Sequence, residues 1–280
     1  MTRRYSTEDV LEVYEDHPAS GKSIMERLER NGIGRGVVRE LDLAIDPIDE
    51  ITDQNHVGGP LSTLRLAAEA RVERAHRVLD LGCGIGGPAR LLAEIFRCTV
   101  HGIDASRKRI EDARELTKLV GLSDLASFES ADLLAQPYRR EFTVVWAQNT
   151  WIHIDQPERL ARLAASALSD SGLIAFEDVC LRRSSRSVEE ERRLSELGVV
   201  WRSSLTTADC WLRAFQDAGF GIASRSDDDD SLLRYFARLS SRARAMPHRY
   251  PPQEVLGWNL ALDLAQAGLI GYVRIVGKLG

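Results

Sequence analysis

A carboxylate stands two residues before a cluster of glycines in the segment VLDLGCGIGG, which spans residues 78–87. Gly82, Gly84 and Gly87 have the spacing G-x-G-x-x-G, which permits a tight turn and lets a ligand lie against backbone at a helix N-terminus. This spacing alone is compatible with many cofactors that contain a nucleotide. Asp80 distinguishes between two kinds of cofactor. A carboxylate at this position repels the pyrophosphate of a dinucleotide and suits the α-ammonium group of S-adenosylmethionine. The segment therefore favours a sulfonium cofactor.

The elements that must position this loop alternate between short apolar runs and stretches with helical spacing. Helices are expected between the runs, and strands are expected at 78–81, 98–104, 126–130, 142–148, 172–179, 220–224 and 271–279. Strands that alternate with helices indicate βαβ units and a mainly parallel sheet. We therefore predict an α/β fold.

Helical patterns also occur outside this alternation. Residues 1–70 are expected to form a helical N-terminal cap or lid, with an amphipathic stretch near 23–31. Two more helices are expected within about 229–268, as an insertion before the last strand. The main domain would then span 71–280.

Several motifs resemble those of one enzyme family. The segment D-L-G-C-G-x-G at 80–86 is similar to the first motif of class I S-adenosylmethionine-dependent methyltransferases. An acidic residue at 104 ends the second strand, and Ala-Asp-Leu at 131–133 follows the third. The segments 51–67 (ITDQNHVGGPLSTLRLA) and 150–179 resemble sarcosine/dimethylglycine N-methyltransferases and related natural-product enzymes.

This resemblance implies a fold, a cofactor and site residues. The fold is a Rossmann-like, seven-stranded, doubly wound sheet, mostly parallel with the last strand antiparallel. S-adenosylmethionine would be the methyl donor and S-adenosylhomocysteine the product. Asp104 would hydrogen-bond both ribose hydroxyls, and Asp132 would lie beside the adenine amino group. The residues expected to contact the cofactor are Asp80, Gly82, Cys83, Gly84, Gly87, Asp104, Ala105, Asp132, Leu133 and Gln148.

The residues after the fourth strand fall where open α/β sheets bind ligands, beyond the carboxyl ends of the strands. Methyl transfer from a sulfonium needs alignment of the reacting atoms, and it needs a base only when the acceptor loses a proton. The candidate catalytic residues are Gln148, Asn149 and His153, of which His153 would be the base for an oxygen acceptor.

The acceptor is expected to be a small, largely hydrophobic metabolite of secondary metabolism. The side chains expected to bind it are Tyr14, His56, Trp151, Trp201 and Trp211. Aromatic faces stabilise a cation by about 0.5–2 kcal/mol, which favours an amine nitrogen or an electron-rich carbon. The resemblance leaves the accepting atom open, because such enzymes methylate nitrogen, oxygen or carbon.

Composition restricts the other classes of function. A formal net charge of −5 argues against a nucleic-acid partner, and no apolar run approaches the roughly 18 residues of a membrane span. The four cysteines are scattered along the sequence, and no histidine lies at metal-ligand spacing. This pattern disfavours a disulfide framework or a metal site. We expect a cytoplasmic protein, with homo-oligomerisation left open. A nicotinamide-dependent oxidoreductase is the alternative, disfavoured by Asp80 and by the absence of a Tyr-x-x-x-Lys pair.

Overall fold

The computed structural model describes residues 5–15, 17–45 and 52–280. Within them, seven strands form one sheet in the order β3-β2-β1-β4-β5-β7-β6. Strand β7 runs antiparallel between β5 and β6, and the remaining neighbours pair in parallel. The strands are β1 (Arg77–Leu81), β2 (Thr99–Asp104), β3 (Ala126–Ser130), β4 (Phe142–Gln148), β5 (Leu168–Leu181), β6 (Phe220–Asp227) and β7 (Ile270–Leu279). The predicted α/β sheet with an antiparallel last strand is confirmed.

Helices cover both faces of this sheet and its carboxyl-end edge. They are α1 (Thr7–Tyr14), α2 (Gly21–Arg30), α3 (Glu40–Ala44), α4 (Gly59–Glu69), α5 (Gly87–Phe96), α6 (Arg107–Leu119), α7 (Pro157–Ala167), α8 (Val188–Trp201), α9 (Ala208–Asp217), α10 (Asp229–Ala245) and α11 (Pro252–Gln266). Among the described residues, no helix is both long and apolar enough to cross a membrane.

Two hydrophobic clusters lie on opposite faces of the sheet, as the alternation of strand side chains requires. Leu79 and Val145 face a cluster that includes residues of α7 and α9. Val78 and Trp146 face the other cluster, which includes residues of α4 and α5. Since both faces are covered, the central strands are apolar on both sides, and the polar ends of β1, β2 and β4 are left to form a site.

The amino-terminal helices are tied to the sheet by a buried ion cluster. Arg90 on α5 contacts Glu40 at 3.2 Å and Asp53 at 2.7 Å, and all three side chains are buried. Breaking such a cluster by removing one partner leaves a buried charge uncompensated, which costs about 3–5 kcal/mol. The division into a cap at 1–70, an insertion at about 229–268 and a main domain stays a prediction. Residues 1–4, 16 and 46–51 of that cap lie outside the described residues.

Candidate active site

A cavity of about 320 Å³ lies beyond the carboxyl ends of β1, β2 and β4, and α1 forms part of its wall. The structure brings most of the residues expected to hold the cofactor to this wall, and their role as ligands stays a prediction. They are Asp80, Gly82, Cys83, Gly84, Asp104, Ala105, Asp132, Leu133 and Gln148.

Asp80, in β1, is an orphaned buried carboxyl group. It is 2% exposed, and among the described residues no group forms a hydrogen bond with its Oδ2. Burial, helped by the negative charge of Asp104, raises the pKa of Asp80 to about 8. A cationic ligand group would supply the missing partner and lower this pKa. Asp80 therefore fits the α-ammonium group of S-adenosylmethionine.

Asp104 ends β2 and is held in place by backbone donors. Its carboxylate accepts hydrogen bonds from the N–H groups of Gly84 at 2.8 Å and Ser106 at 2.9 Å. Because these bonds fix both oxygens at the cavity wall, the carboxylate is preorganised to accept further bonds from paired hydroxyl groups. Asp132 is more exposed, and its side chain accepts from the N–H of Leu134 at 2.9 Å.

The glycines of the loop differ in what they do. Gly82 has a φ of 77°, and a Cβ there would lie 2.0 Å from Cγ2 of Thr150, so only glycine fits. Gly87 begins α5 and does not line the cavity; a Cβ there would lie 2.3 Å from the backbone oxygen of Asp53. Contrary to the expectation for Gly87, this glycine permits close packing of the cap against α5.

Gln148, at the end of β4, has its amide group fixed by neighbours. It donates to Oε1 of Glu177 at 2.7 Å, and its own Oε1 accepts from Trp146 at 3.0 Å and from Thr63 at 3.1 Å. Glu177 is fully buried and is paired with Arg274 at 3.0 Å. Gln148 thus presents a fixed dipole to the cavity and has no free proton-transfer role.

His56 and Asn149 also line the cavity and are held by hydrogen bonds. The buried ring of His56 contacts Thr63 at 3.2 Å, and burial lowers its pKa. Asn149 adopts a φ of 51°, which asparagine tolerates better than most residues. Its Oδ1 accepts from the hydroxyl of Tyr272 at 2.6 Å. Both residues therefore shape the wall beside Gln148.

Tyr14, on α1, and His153, which follows β4, are far apart in sequence and meet in the wall of the cavity. The Tyr14 hydroxyl lies 2.9 Å from Nε2 of His153, and Nδ1 of His153 lies 3.4 Å from the carbonyl oxygen of Arg202. Since a carbonyl can only accept, Nδ1 carries the hydrogen and Nε2 accepts from Tyr14. Burial lowers the pKa of His153 to about 4. His153 is therefore neutral at pH 7, and its lone pair already accepts a hydrogen bond.

Of the three tryptophans expected at the acceptor site, two lie in the core and the third lines a second cavity. Trp151 is fully buried, with its ring centroid 4.2 Å from that of Phe176 and 5.6 Å from that of Trp211. Both tryptophans belong to the core cluster beneath α7 and α9, because they face the sheet and not its edge. Trp201 packs on Phe236 and lines a second cavity. The expectation that Trp151 and Trp211 line the site is wrong.

The structure also places residues at the site that sequence reasoning missed. Arg109 and Thr150 line the main cavity, and Glu254 lines the second. A signal for Arg109 was present, because RKR at 107–109 follows Asp104 at the start of a helix. Glu254 had no such signal, since its position depends on how α11 packs against α1 and α8.

Comparisons with known proteins agree with this geometry. Residues 54–224, more than half of the chain, match the family described as "Methyltransferase domain". The chain is 35% identical to "Methyltransferase GfsG" of Streptomyces halstedii over 140 residues, which are 50% of this chain and 48% of that protein. It is 34% identical to "27-O-demethylrifamycin SV methyltransferase" of Amycolatopsis mediterranei over 169 residues, or 59% of this chain and 61% of that protein.

Solved structures share the fold at low sequence identity. Geranyl diphosphate C-methyltransferase from Streptomyces coelicolor superposes with a TM-score of 0.73 and 15% identity, and the match covers 98% of each chain. In the sequence comparison, the matched residues span about half the length of the first curated relative, "Methyltransferase GfsG".

Proposed function

We propose that this chain methylates a small, largely hydrophobic metabolite. It belongs to the methyltransferase domain family and is a class I, S-adenosylmethionine-dependent methyltransferase. A carbon or amine nitrogen is the favoured acceptor atom. The relative named "27-O-demethylrifamycin SV methyltransferase" supports a natural-product acceptor, and its own name indicates methylation of an oxygen atom.

The observation that carries this proposal is the pair of carboxyl groups on the glycine loop. Asp104 is held by two backbone donors, whereas Asp80 is buried without a partner for Oδ2. A buried polar group without a partner is destabilising, by about 1–3 kcal/mol. The α-ammonium group of the cofactor would satisfy Asp80, and the ribose hydroxyls would satisfy the remaining lone pairs of Asp104.

The bound cofactor supplies a methyl group on a positively charged sulfur, which is a good leaving group. The chain must align the acceptor with that methyl group and exclude water, and alignment contributes on the order of 7–11 kcal/mol. Gln148 and Asn149 suit this task because hydrogen bonds fix both side chains. Tyr14 completes the enclosure by reaching His153 from the lid helix α1.

The acceptor is proposed to reach into a second cavity of about 500 Å³, which lies between α1, α8 and α11. Its wall combines the apolar side chains of Val13, Val199, Val200 and Trp201 with charged and polar ones. The apolar side chains would pack against a hydrophobic body.

Two carboxyl groups, those of Glu12 and Glu254, also line this cavity, and Glu12 pairs with Arg202 at 3.6 Å. Burial raises the pKa of Glu254 to about 7, and none of the described residues gives it a hydrogen bond or ion pair. Glu254 is close enough to Tyr14 to raise the pKa of that phenol, secondary to burial. A protonated amine beside the reacting nitrogen or carbon would neutralise this carboxylate.

Oxygen methylation with His153 as base is the alternative within the same class. Two observations weigh against it: the pKa of His153 is lowered to about 4, and its Nε2 already accepts from Tyr14. A weak base with an occupied lone pair contributes little to deprotonating an alcohol. An amine or carbon nucleophile needs no such base before attack.

The cofactor assignment is tested by calorimetric titration with S-adenosylhomocysteine and, separately, with NADH. We expect the first to bind and the second not to bind. The Asp104→Ala variant should bind S-adenosylhomocysteine more weakly by about 1.5–3 kcal/mol, because a charged hydrogen-bond acceptor is lost. Unchanged affinity in this variant would refute the ribose assignment, and tight NADH binding would favour the oxidoreductase.

The acceptor assignment is tested with matched pairs of hydrophobic compounds that differ only in an amine or a hydroxyl group. Methylated product and S-adenosylhomocysteine are quantified by mass spectrometry. We expect methylation of the amine members, with a KM that rises in Glu254→Gln while kcat changes little. Asp263→Asn on the exposed side of the same helix is the control. Preferential methylation of the alcohols would overturn the proposal.

A further inference from the structure

Arg109 is a buried cation in the wall of the main cavity, and no carboxylate among the described residues forms an ion pair with it. The side chain is 7% exposed, and its Nη1 has no hydrogen-bond partner in the same part of the chain. Its guanidinium lies over the ring of Tyr14, whose centroid is 4.7 Å from the guanidinium carbon. A desolvated charge is costly unless it is paired, so this arrangement calls for an anionic group that enters the cavity.

The position of Arg109 in its helix is also unfavourable without such a group. Arg107, Lys108 and Arg109 occupy the first turn of α6, which contains no acidic residue, and the helix dipole disfavours cations there. Arg107 pairs with Glu111 at 3.0 Å, and Lys108 donates to the carbonyl of Glu15 at 2.6 Å. Arg109 instead turns into the cavity. Local rules are usually broken in this way where a site requires it.

Arg109 and the orphaned Asp80 lie against the same short loop. A Cβ on Gly84 would be 2.6 Å from Nη2 of Arg109, and Asp80 precedes the loop by two residues. Burial raises the pKa of the Cys83 thiol, Asp80 and Asp104 raise it further, and Arg109 lowers it. A buried guanidinium and a buried carboxyl group that lack partners therefore flank residues 82–84.

We propose that Arg109 binds the α-carboxylate of S-adenosylmethionine while Asp80 binds its α-ammonium group. This inference rests on the proposed function, because it places the cofactor's ribose on Asp104 and so its amino-acid end over residues 82–84. An α-amino acid carries both charges on one carbon atom, which matches the two unpaired groups. The edge of the planar guanidinium can hold a carboxylate with two parallel hydrogen bonds, while the Tyr14 ring lies over its face.

The test compares three ligands by calorimetry: S-adenosylhomocysteine, its decarboxylated analogue, which keeps the amine, and 5′-methylthioadenosine, which lacks the whole amino-acid end. In Arg109→Met, affinity for S-adenosylhomocysteine should fall on the order of 10- to 100-fold, as expected for loss of a charged hydrogen bond. Affinity for the other two ligands should change less than about twofold. Arg109→Lys should give an intermediate loss for S-adenosylhomocysteine alone, since the charge remains but the planar fork is lost.

Arg107→Met is the matched control, because it removes a cation from the same helical turn at an exposed position. It should leave all three affinities unchanged. The melting temperature of ligand-free Arg109→Met should be equal to or above that of the unmodified protein, since a buried unpaired charge is removed.

The outcomes separate this inference from the proposed function. If 5′-methylthioadenosine binds and Arg109→Met weakens S-adenosylhomocysteine and the decarboxylated analogue equally, Arg109 does not recognise the carboxylate. The inference is then overturned while the cofactor site stands. If the unmodified protein binds none of the three ligands, the proposed function falls together with the inference.

Discussion

Protonation of Asp80 should make cofactor binding depend on pH. Burial raises the pKa of this carboxyl group to about 8, so about nine-tenths of the ligand-free protein carries a proton on Asp80 at pH 7. An ammonium group binds the ionised form, so binding must release that proton. Each pH unit below 8 then costs about 1.4 kcal/mol, or a factor of about ten in affinity.

The assay is titration with S-adenosylhomocysteine between pH 6 and 8.5, in buffers of different ionisation enthalpy. We expect affinity to rise up to about tenfold per pH unit and to level off above pH 8. Close to one proton should be released at pH 7. The Asp80→Asn variant should bind more weakly at pH 8 with no pH dependence. Equal affinities at pH 6 and pH 8 without proton release would show that Asp80 does not bind the ammonium group.

Three further predictions concern the lid, the base and the core. Deletion of residues 1–20 should abolish turnover and leave S-adenosylhomocysteine binding within a few fold, because Asp80, Asp104 and the glycine loop lie outside the deleted segment. Full turnover in the truncated protein would contradict the lid. His153→Ala should reduce kcat with the true acceptor by less than about tenfold, whereas a loss of several orders of magnitude that high pH restores would indicate oxygen methylation. Trp151→Ala should lower the free energy of unfolding in urea by about 3–5 kcal/mol, with Trp201→Ala as a half-buried control that costs less.

The strands of the sheet could be predicted from sequence because their signal is local. β3 and β4 have the predicted bounds, 126–130 and 142–148, since each is an apolar or alternating run between turn residues. β5 was predicted at 172–179 but begins at Leu168, which pairs with Phe142 across a register shift. Ser171 in this extension has a φ of 59°. Such an irregular pairing depends on the neighbouring strand and leaves no local pattern.

The cofactor half of the site could be predicted from sequence better than the acceptor half, again because its signal is local. The cofactor half is one glycine loop and the ends of adjacent strands, so its residues are close in sequence or in predictable register. The acceptor half depends on how distant helices pack. Trp151 and Trp211 carried the right chemistry for an aromatic wall, but both pack in the core. Glu254 reaches the second cavity only because α11 lies beside α1 and α8.

The cofactor site is tested most directly by a crystal structure of the protein with S-adenosylhomocysteine. We expect both ribose hydroxyls within hydrogen-bond distance of the Asp104 carboxylate and the α-ammonium group beside Asp80. The sulfur should be directed towards Gln148 and the cavity beneath Tyr14. A ligand bound elsewhere, or bound here with its ribose away from Asp104, would show that these carboxyl groups do not hold the cofactor.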